Sequence, residues 1–243
     1  MEQILLRASS YAADIDSVIL LVAVLGGFWL ILAEAVVFYF LFKYHRSRSP
    51  KAQYVTGEKK EEKKWIHIPH NLVLVCDIAI IALGIKVWYH VKQQKPEADS
   101  VVRVIGHQWA WEFVHPGIDG KLGTDDDVTT IDELRVVVDK NYHFKLESAD
   151  VLHSFSVPVF RLKQDAIPGR EITGWFKPTK TGTFDLQCTE ICGIGHGIMG
   201  ARIVIESEAE HRQWLEQKAG TQTAAVQPAA SEHVVATLTK SGI

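Results

Sequence analysis

The sequence lacks the features that would identify several classes of protein. It has three cysteines in 243 residues, too few for a disulfide scaffold, and no collagen-like, repeat or coiled-coil composition. Its formal net charge of −3 and pI near 6.4 give no reason to expect nucleic acid as a partner. No C-x-x-C-H segment occurs, so the chain carries no covalently attached c-type haem of its own. The spacing of the few cysteines therefore becomes informative.

The mean hydropathy of +0.03 averages two unlike compositions. Val18 to Phe42 form an apolar run whose only charge is Glu34. At about 1.5 Å per residue, a helix of this length exceeds the roughly 30 Å hydrocarbon thickness of a bilayer. A second run, Asn71 to Tyr89 within a span of about 69–90, contains the deep charge Asp77. We therefore predict two transmembrane helices, with a buried soluble helix as the alternative for the second.

The loop between the two runs is rich in basic residues and predicts the orientation. Its basic residues are Lys43, Arg46, Arg48, Lys51, Lys59, Lys60, Lys63 and Lys64, against the acidic residues Glu58, Glu61 and Glu62. By the positive-inside rule this loop is cytoplasmic, so both termini lie outside. Cys76, inside the second span, is interpreted as a small hydrophobe that faces lipid or protein.

After a polar linker over residues 93–100, the chain becomes a series of short runs that alternate apolar and polar residues. Gly, Pro, Asn or Asp separate these runs from Val101 to Glu206, a pattern typical of a small antiparallel sandwich or barrel. A short helix over Ala209–Lys218 and a flexible tail make up residues 207–243. The hairpin region 1–92 and the β domain 101–206 are thus the main predicted units.

One glycine-rich segment, CTEICGIGHGIMG, concentrates the metal-ligand side chains. Cys188, Cys192, His196 and Met199 are separated by three, three and two positions. Thiolate, imidazole and thioether ligands favour copper over magnesium or calcium, and the four glycines let the backbone fold tightly enough for the side chains to converge. Three other interpretations of the segment fit less well. A disulfide would leave His196 and Met199 unexplained, and zinc does not customarily use Met as a ligand. A mononuclear blue-copper site has no place for a second Cys.

The segment resembles the copper-binding loop of subunit II of haem-copper cytochrome c oxidases, whose pattern C-x-E-x-C-x-x-x-H-x-x-M it fits at every defined position. GHQWAWEF, ADVLHSFSVP and LKQDAIPGR are similar to three further segments of that family. The resemblance covers roughly residues 15–206. It implies a membrane-anchored all-β protein, in which a two-helix transmembrane hairpin precedes a cupredoxin-like antiparallel β-sandwich.

The resemblance also implies a binuclear copper A centre. Its ligands would be His153, Cys188, the backbone carbonyl of Glu190, Cys192, His196 and Met199. The two thiolates would bridge both coppers, and each imidazole would bind one. The Glu190 carboxylate would help to bind Mg²⁺ at the interface with subunit I. Asp165, Lys163 and Arg170 would belong to the same polar interface, with solvated surface charges as the alternative.

The implied function is electron transfer in a respiratory oxidase of the bacterial plasma membrane. The chain would accept electrons from cytochrome c or an equivalent c-type haem donor and pass them to haem in subunit I, where oxygen is reduced to water and protons are pumped. Trp109, with Trp111 two positions on, matches the aromatic residue at which electrons enter, with core packing as the alternative. Glu62 matches an acidic residue near a proton path, with a solvated charge as the alternative. The copper domain would lie on the external, periplasmic side, among subunit I, the other oxidase subunits and the lipid bilayer.

The loop Gly117–Val128 departs from the family's pattern. It inserts the acidic residues Asp119, Asp125, Asp126 and Asp127. Carboxylates at this spacing can bind Ca²⁺, with attraction of a basic donor and plain solvation as alternatives.

Three rival functions share part of the pattern. A membrane-anchored copper chaperone or assembly protein could use a C-x₃-C pair and a distant His, yet it would not need His196 and Met199 at fixed spacing. Subunits II of quinol oxidases lack these ligands. The two amino-terminal spans and the absence of a large additional domain argue against the copper A domain of nitrous oxide reductase.

Overall fold

The computed structural model describes residues 6–48, 51 and 54–226. Two long helices come first, α1 at Ala12–Lys43 and α2 at Lys60–Trp88, and a π-helical turn follows at Tyr89–Gln93. Both are long and apolar enough to cross a membrane, which confirms the predicted pair of candidate spans. The apolar windows of the two helices are not buried inside the chain, so they need lipid or a partner protein to cover them.

Ten strands form the β domain. They are β1 Ser100–His107, β2 Ala110–His115, β3 Val128–Ile131, β4 Glu133–Val137, β5 Tyr142–Ser148, β6 His153–Val157, β7 Leu162–Ala166, β8 Ile172–Phe176, β9 Gly182–Cys188 and β10 Gly200–Glu206. One sheet has the order β3-β2-β1-β5-β8 and the other β4-β10-β9-β6-β7. The two sheets confirm the predicted sandwich.

The strand directions differ from the prediction of a purely antiparallel sandwich. β1 pairs with β5 in parallel, and β10 pairs with β4 in parallel, whereas the other pairings are antiparallel. The sequence does not reveal this because alternation of apolar and polar residues determines which face of a strand is buried, not which strand lies beside it.

The core between the sheets is built largely from phenylalanines. Phe144, Phe155 and Phe176 are fully buried, and neighbouring rings in this cluster lie 5.2–6.5 Å apart. Alternate positions within the strands supply these rings. In β5, for example, every second side chain from Tyr142 to Leu146 points inward. Packed aromatic rings contribute beyond the area they bury, so this core holds the strands that carry the metal donors.

The amino-terminal segment before α1 packs onto this core. Ala8 and Tyr11 are buried among the sandwich residues, and Ser9 forms an isolated bridge with Pro178. The predicted division at residue 92 does not anticipate this contact, because a short polar segment beside an apolar run carries no signal for long-range packing.

A third helix, α3 at Glu208–Val226, follows β10. Ser207 and Glu210 form a reciprocal cap at its start, with the Ser207 backbone N–H donating to the carboxylate and the Glu210 N–H donating to the hydroxyl. The helix runs past the predicted end at Lys218 into the segment predicted as a flexible tail. Low apolar periodicity concealed this extension, and residues 227–243 of the predicted tail lie outside the described part of the chain.

Candidate metal centre

The cysteine segment connects β9 to β10 at one end of the sandwich. Cys188 is the last residue of β9, and Cys192 and Met199 follow it in the connection, all three buried. His196 opens a single 3-10 turn and is half-buried. The remaining donor, His153, is the first residue of β6, which pairs with β9 at Phe155 and Cys188. Strand pairing therefore brings a distant histidine to the cysteine segment.

The donor atoms surround a pair of thiols. Cys188 Sγ lies 3.9 Å from Cys192 Sγ, 4.0 Å from His153 Nδ1 and 3.3 Å from the carbonyl oxygen of Glu190. Cys192 Sγ lies 3.7 Å from His196 Nδ1 and 3.7 Å from Met199 Sδ. Among the described residues, only His153, Cys188 and Cys192 form a group of three His, Cys, Asp or Glu ligands with all donor atoms within 4.8 Å of one another.

The chemistry of this set suits copper. Thiols, a thioether and imidazoles are soft or borderline ligands, and a single carbonyl oxygen is the one hard donor. Burial, together with the neighbouring Cys188 thiol, raises the pKa of Cys192 to about 11. Without a metal the Cys192 thiol therefore keeps its proton at neutral pH, and a bound cation would displace that proton by compensating the negative thiolate.

Asp150 and Gly106 orient the His153 ring. His153 is fully buried, and its Nε2 lies 2.8 Å from the Asp150 carboxylate, which leaves Nδ1 toward the thiols. A Cβ atom at Gly106 would lie 2.9 Å from the ring, so only glycine allows strand β1 this close. Both residues stand within the quoted segments GHQWAWEF and ADVLHSFSVP, but the sequence offered no signal that singled them out.

Trp109 lies directly against the metal loop. Its Nε1 donates to the Cys192 carbonyl oxygen at 3.2 Å, and the neighbouring Gln108 amide donates to the same oxygen at 2.7 Å. Gly193, at φ +121°, and Gly195 both face the indole, whereas a Cβ atom at Gly197 would meet nothing within 4 Å. Two of the predicted loop glycines thus make room for the tryptophan, in addition to letting the chain turn.

The two tryptophans of the aromatic segment have different surroundings. Trp109 is 37% exposed, whereas Trp111 is fully buried and packs against His153 and Phe155. The expectation that Trp111 shares a surface for electron entry is therefore wrong, because its ring is covered by the core. Successive side chains of β2 alternate between the two faces, and Trp111 points inward.

Two of the four residues predicted at the subunit interface, Glu190 and Asp165, are linked to the donors. Glu190 is half-buried between the two cysteines, and Asp165 accepts a hydrogen bond from Ser154 Oγ at 2.8 Å. Ser154 follows His153, and its carbonyl accepts from the Thr189 N–H at 3.1 Å. Lys163 and Arg170 are exposed. A continuous polar strip thus joins the metal loop to β7.

Carboxylates of the acidic loop 117–128 accept hydrogen bonds from other residues of the same loop. Asp119 accepts from the Lys121 N–H and Asp127 from the Gly123 N–H, both at 2.7 Å. Asp126 accepts from the Thr124 hydroxyl, which lowers the pKa of that carboxyl, and Asp125 is exposed. Within this fully described loop the carboxylates form no converging set of three, so the calcium prediction gains no support.

Glu62 lies far from the metal donors, in the first turn of α2. Its carboxylate accepts from the Gly57 N–H at 2.9 Å and lies 3.4 Å from the Thr56 hydroxyl. The side chain therefore organises the end of the loop between the helices, and its role near a proton path stays a prediction.

Comparison with known proteins agrees with this geometry. Residues 100–208 match the family model described as cytochrome c oxidase subunit II, periplasmic domain. The chain is 33% identical over 202 residues to an alternative cytochrome c oxidase subunit 2 of Bradyrhizobium diazoefficiens, covering 74% of this chain and 71% of the relative. It is 30% identical over 233 residues to cytochrome c oxidase subunit 2 of Cereibacter sphaeroides, covering 81% and 75%.

A solved structure is also similar. The periplasmic domain of subunit II of a cytochrome oxidase from Bradyrhizobium japonicum is 32% identical, with a TM-score of 0.46, and covers 53% of this chain and 99% of that one. With its family model matched and two relatives covered over most of their length, the chain belongs to the cytochrome c oxidase subunit II family.

Proposed function

We propose that this chain is the electron-accepting subunit of a respiratory cytochrome c oxidase and that the donor cluster holds a binuclear copper A centre. The observation that carries the proposal is the buried thiol pair, 3.9 Å apart, surrounded by two imidazoles, a thioether and a carbonyl oxygen. A mononuclear site would leave one of the two thiols without a use.

The chain's own residues hold and insulate the metal site. Cys188, Cys192, His153, His196, Met199 and the Glu190 carbonyl would be the ligands. When bound, a pair of coppers held by these residues would supply one-electron transfer. Asp150 fixes the orientation of the His153 ring, and the phenylalanine core beneath excludes water from the buried donors. Rigid donors keep the rearrangement that accompanies electron transfer small.

Electrons would enter through Trp109. This ring combines partial exposure with a hydrogen bond to the backbone of Cys192, so a donor touching the ring is one side chain away from the metal loop. The donor would be cytochrome c or another c-type haem protein. The chain would pass the electrons to haem in subunit I, where oxygen is reduced and proton pumping is driven.

The other proposed sites face subunit I and the membrane. The Glu190 carboxylate would bind Mg²⁺ at the subunit I interface, which suits a hard oxygen ligand. Glu62 would stand near the entry of a proton path. The basic loop between α1 and α2 favours a cytoplasmic location for that loop, with the sandwich in the periplasm of a bacterial plasma membrane.

Copper quantification on the purified full-length chain, combined with electron paramagnetic resonance, tests the proposal. We expect two coppers per chain and a mixed-valence spectrum. One copper per chain with an ordinary mononuclear spectrum would contradict it and favour the chaperone alternative. No copper after reconstitution under reducing conditions would contradict copper binding itself.

A further inference from the structure

The amino-terminal segment and the sandwich are joined by an ion pair on the side away from the metal donors. Arg161, just after the 3-10 turn Pro158–Phe160, places its Nε 2.7 Å and one terminal nitrogen 3.2 Å from the two oxygens of Asp16 in α1. Its other terminal nitrogen donates to the carbonyls of Leu6 at 3.1 Å and Pro158 at 2.8 Å. One side chain thus binds the helix, the segment before it and the sandwich.

The backbone of Arg161 adopts a conformation that is unfavourable for a residue with a side chain. Its φ is +57°, in the left-handed region that favours glycine. An arginine there carries a conformational cost that glycine would avoid. Its four polar contacts and low exposure, 16% for the Arg161 side chain and 17% for Asp16, offset that cost. By contrast, the Arg103–Glu147 pair within the sandwich is 45% and 27% exposed.

Further contacts tie the same region to both helices. Ala8 N–H donates to Val159 and Thr179 N–H donates to Ala8, at 2.8 and 2.9 Å. The Tyr11 hydroxyl donates to the Trp175 carbonyl at 3.2 Å, and Trp175 Nε1 donates to the Val91 carbonyl at 2.8 Å. Because Val91 follows α2, Trp175 contacts the outer ends of both helices.

A rigid strand connects this region to the metal centre. β6 begins at the donor His153 and ends at Val157, and the turn that carries Arg161 follows directly. Five strand residues span about 16 Å. A tilt of the sandwich at Arg161 would therefore move His153 and the rest of the metal site relative to the helices.

We propose that Arg161 is a positioning residue that fixes the sandwich on the outer end of α1 and so sets the place of the metal centre relative to the membrane. The part concerning electron transfer rests on the proposed function. Onward transfer to a partner subunit depends steeply on distance, so this position matters for the rate of that step.

Arg161→Gly tests the proposal without straining the turn, because glycine favours the same φ. Asp16→Asn removes the partner charge, and Arg103→Gln is the matched control, since it breaks an arginine–carboxylate pair that lies wholly within the sandwich. Asp16 also accepts a hydrogen bond from Arg7 Nε at 2.6 Å, so its charge must be kept in a rescue. Arg161→Lys serves as the rescue, because it keeps a cation opposite Asp16.

The first measurement is amide hydrogen exchange at Ala8 and Thr179 in the full-length chain, which requires no metal. We expect exchange to be about tenfold faster in Arg161→Gly and Asp16→Asn and unchanged in Arg103→Gln. In Arg161→Lys the exchange should be slower than in Arg161→Gly. Unchanged exchange in Arg161→Gly would overturn the proposal even if the chain binds two coppers.

The second measurement follows the assembled oxidase after rapid reduction by its donor. We expect Arg161→Gly to keep the copper spectrum and the rate of copper reduction, while onward transfer to haem slows by about fivefold. Faster exchange together with unchanged onward transfer would overturn the positioning role. Absence of copper in the unmodified chain would overturn the proposed function alone, because the exchange measurement stands without it.

Discussion

The two ends of the sandwich are built in different ways. At the metal end, four of the six proposed ligand groups are side chains within one short segment, Cys188 to Met199. The membrane end is the end at which the sandwich contacts α1 and the segment before it. The contacts there join residues that are 145 and 164 positions apart, Arg161 with Asp16 and Tyr11 with Trp175. The comparison teaches that a site whose chemistry is local can be recognised from spacing, whereas a packed junction is visible only after folding.

The largest expected effect concerns the metal end. Cys192→Ser should abolish the two-copper site, because a serine hydroxyl is a poor ligand for copper and one bridging thiolate is lost. Copper content and the electron paramagnetic resonance spectrum of the full-length chain measure this. Cys76→Ser, in α2, is the control and should retain both coppers. Equal loss of copper in the two variants would contradict the assignment of Cys192 as a copper ligand.

The next effect concerns the membrane end. Tyr11→Ala should lower the free energy of unfolding of the sandwich by about 3 kcal/mol, because a large buried ring and its hydrogen bond to Trp175 are removed. Chemical denaturation of the full-length chain, followed by tryptophan fluorescence, measures the change. Tyr54→Ala is the matched control, since that side chain is 90% exposed. A loss of stability shared by both variants would show that Tyr11 does not anchor the sandwich.

A smaller effect tests the contact between Trp109 and the metal loop. The added methyl group in Gly195→Ala would overlap the indole of Trp109, so the ring must move and its bond to Cys192 weakens. We expect reduction of copper by the donor to slow by about tenfold while copper content stays the same. Gly197→Ala, on the other side of His196, has open space and should behave like the unmodified protein. Identical rates would contradict entry through Trp109.

The last expected effect is a pH dependence of stability at the junction of α3 with the sandwich, which is the smallest of the four over a single pH unit. His115 is buried beside Trp214, and burial lowers its pKa to about 3. Between the ordinary pKa of 6.5 and about 3, the unfolded chain therefore binds a proton that the folded chain does not. Stability should fall with decreasing pH in this range, by about 1 kcal/mol per pH unit.

His115→Gln isolates this contribution. The difference in unfolding free energy between the variant and the unmodified chain should change with pH below the ordinary histidine pKa and level off above it. A difference independent of pH would contradict a neutral, buried His115. The same measurement on the metal-free chain separates this contribution from the pH dependence of copper binding.

Much of the site was accessible from the sequence, and the exceptions have a common cause. The spacing of Cys188, Cys192, His196 and Met199 indicates copper because ligand softness and backbone flexibility are properties of the residues themselves. The roles of Asp150 and Gly106 were not predictable from the sequence, because they depend on the His153 side chain that lies against them in the folded chain. The burial of Trp111 was not predictable for the same reason, since a tryptophan in the aromatic segment is equally compatible with the surface and the core.

The two apolar helices, the alternating β domain, the metal chemistry of the cysteine segment and the family are all predictable from local composition and spacing, which do not depend on the rest of the chain. The parallel pairings of β1 with β5 and β4 with β10, the contact of Trp109 with Gly195, and the junction of Arg161 with Asp16 are visible only in the folded molecule. Each of these depends on contacts between distant residues, and such contacts form only when the core brings the segments together.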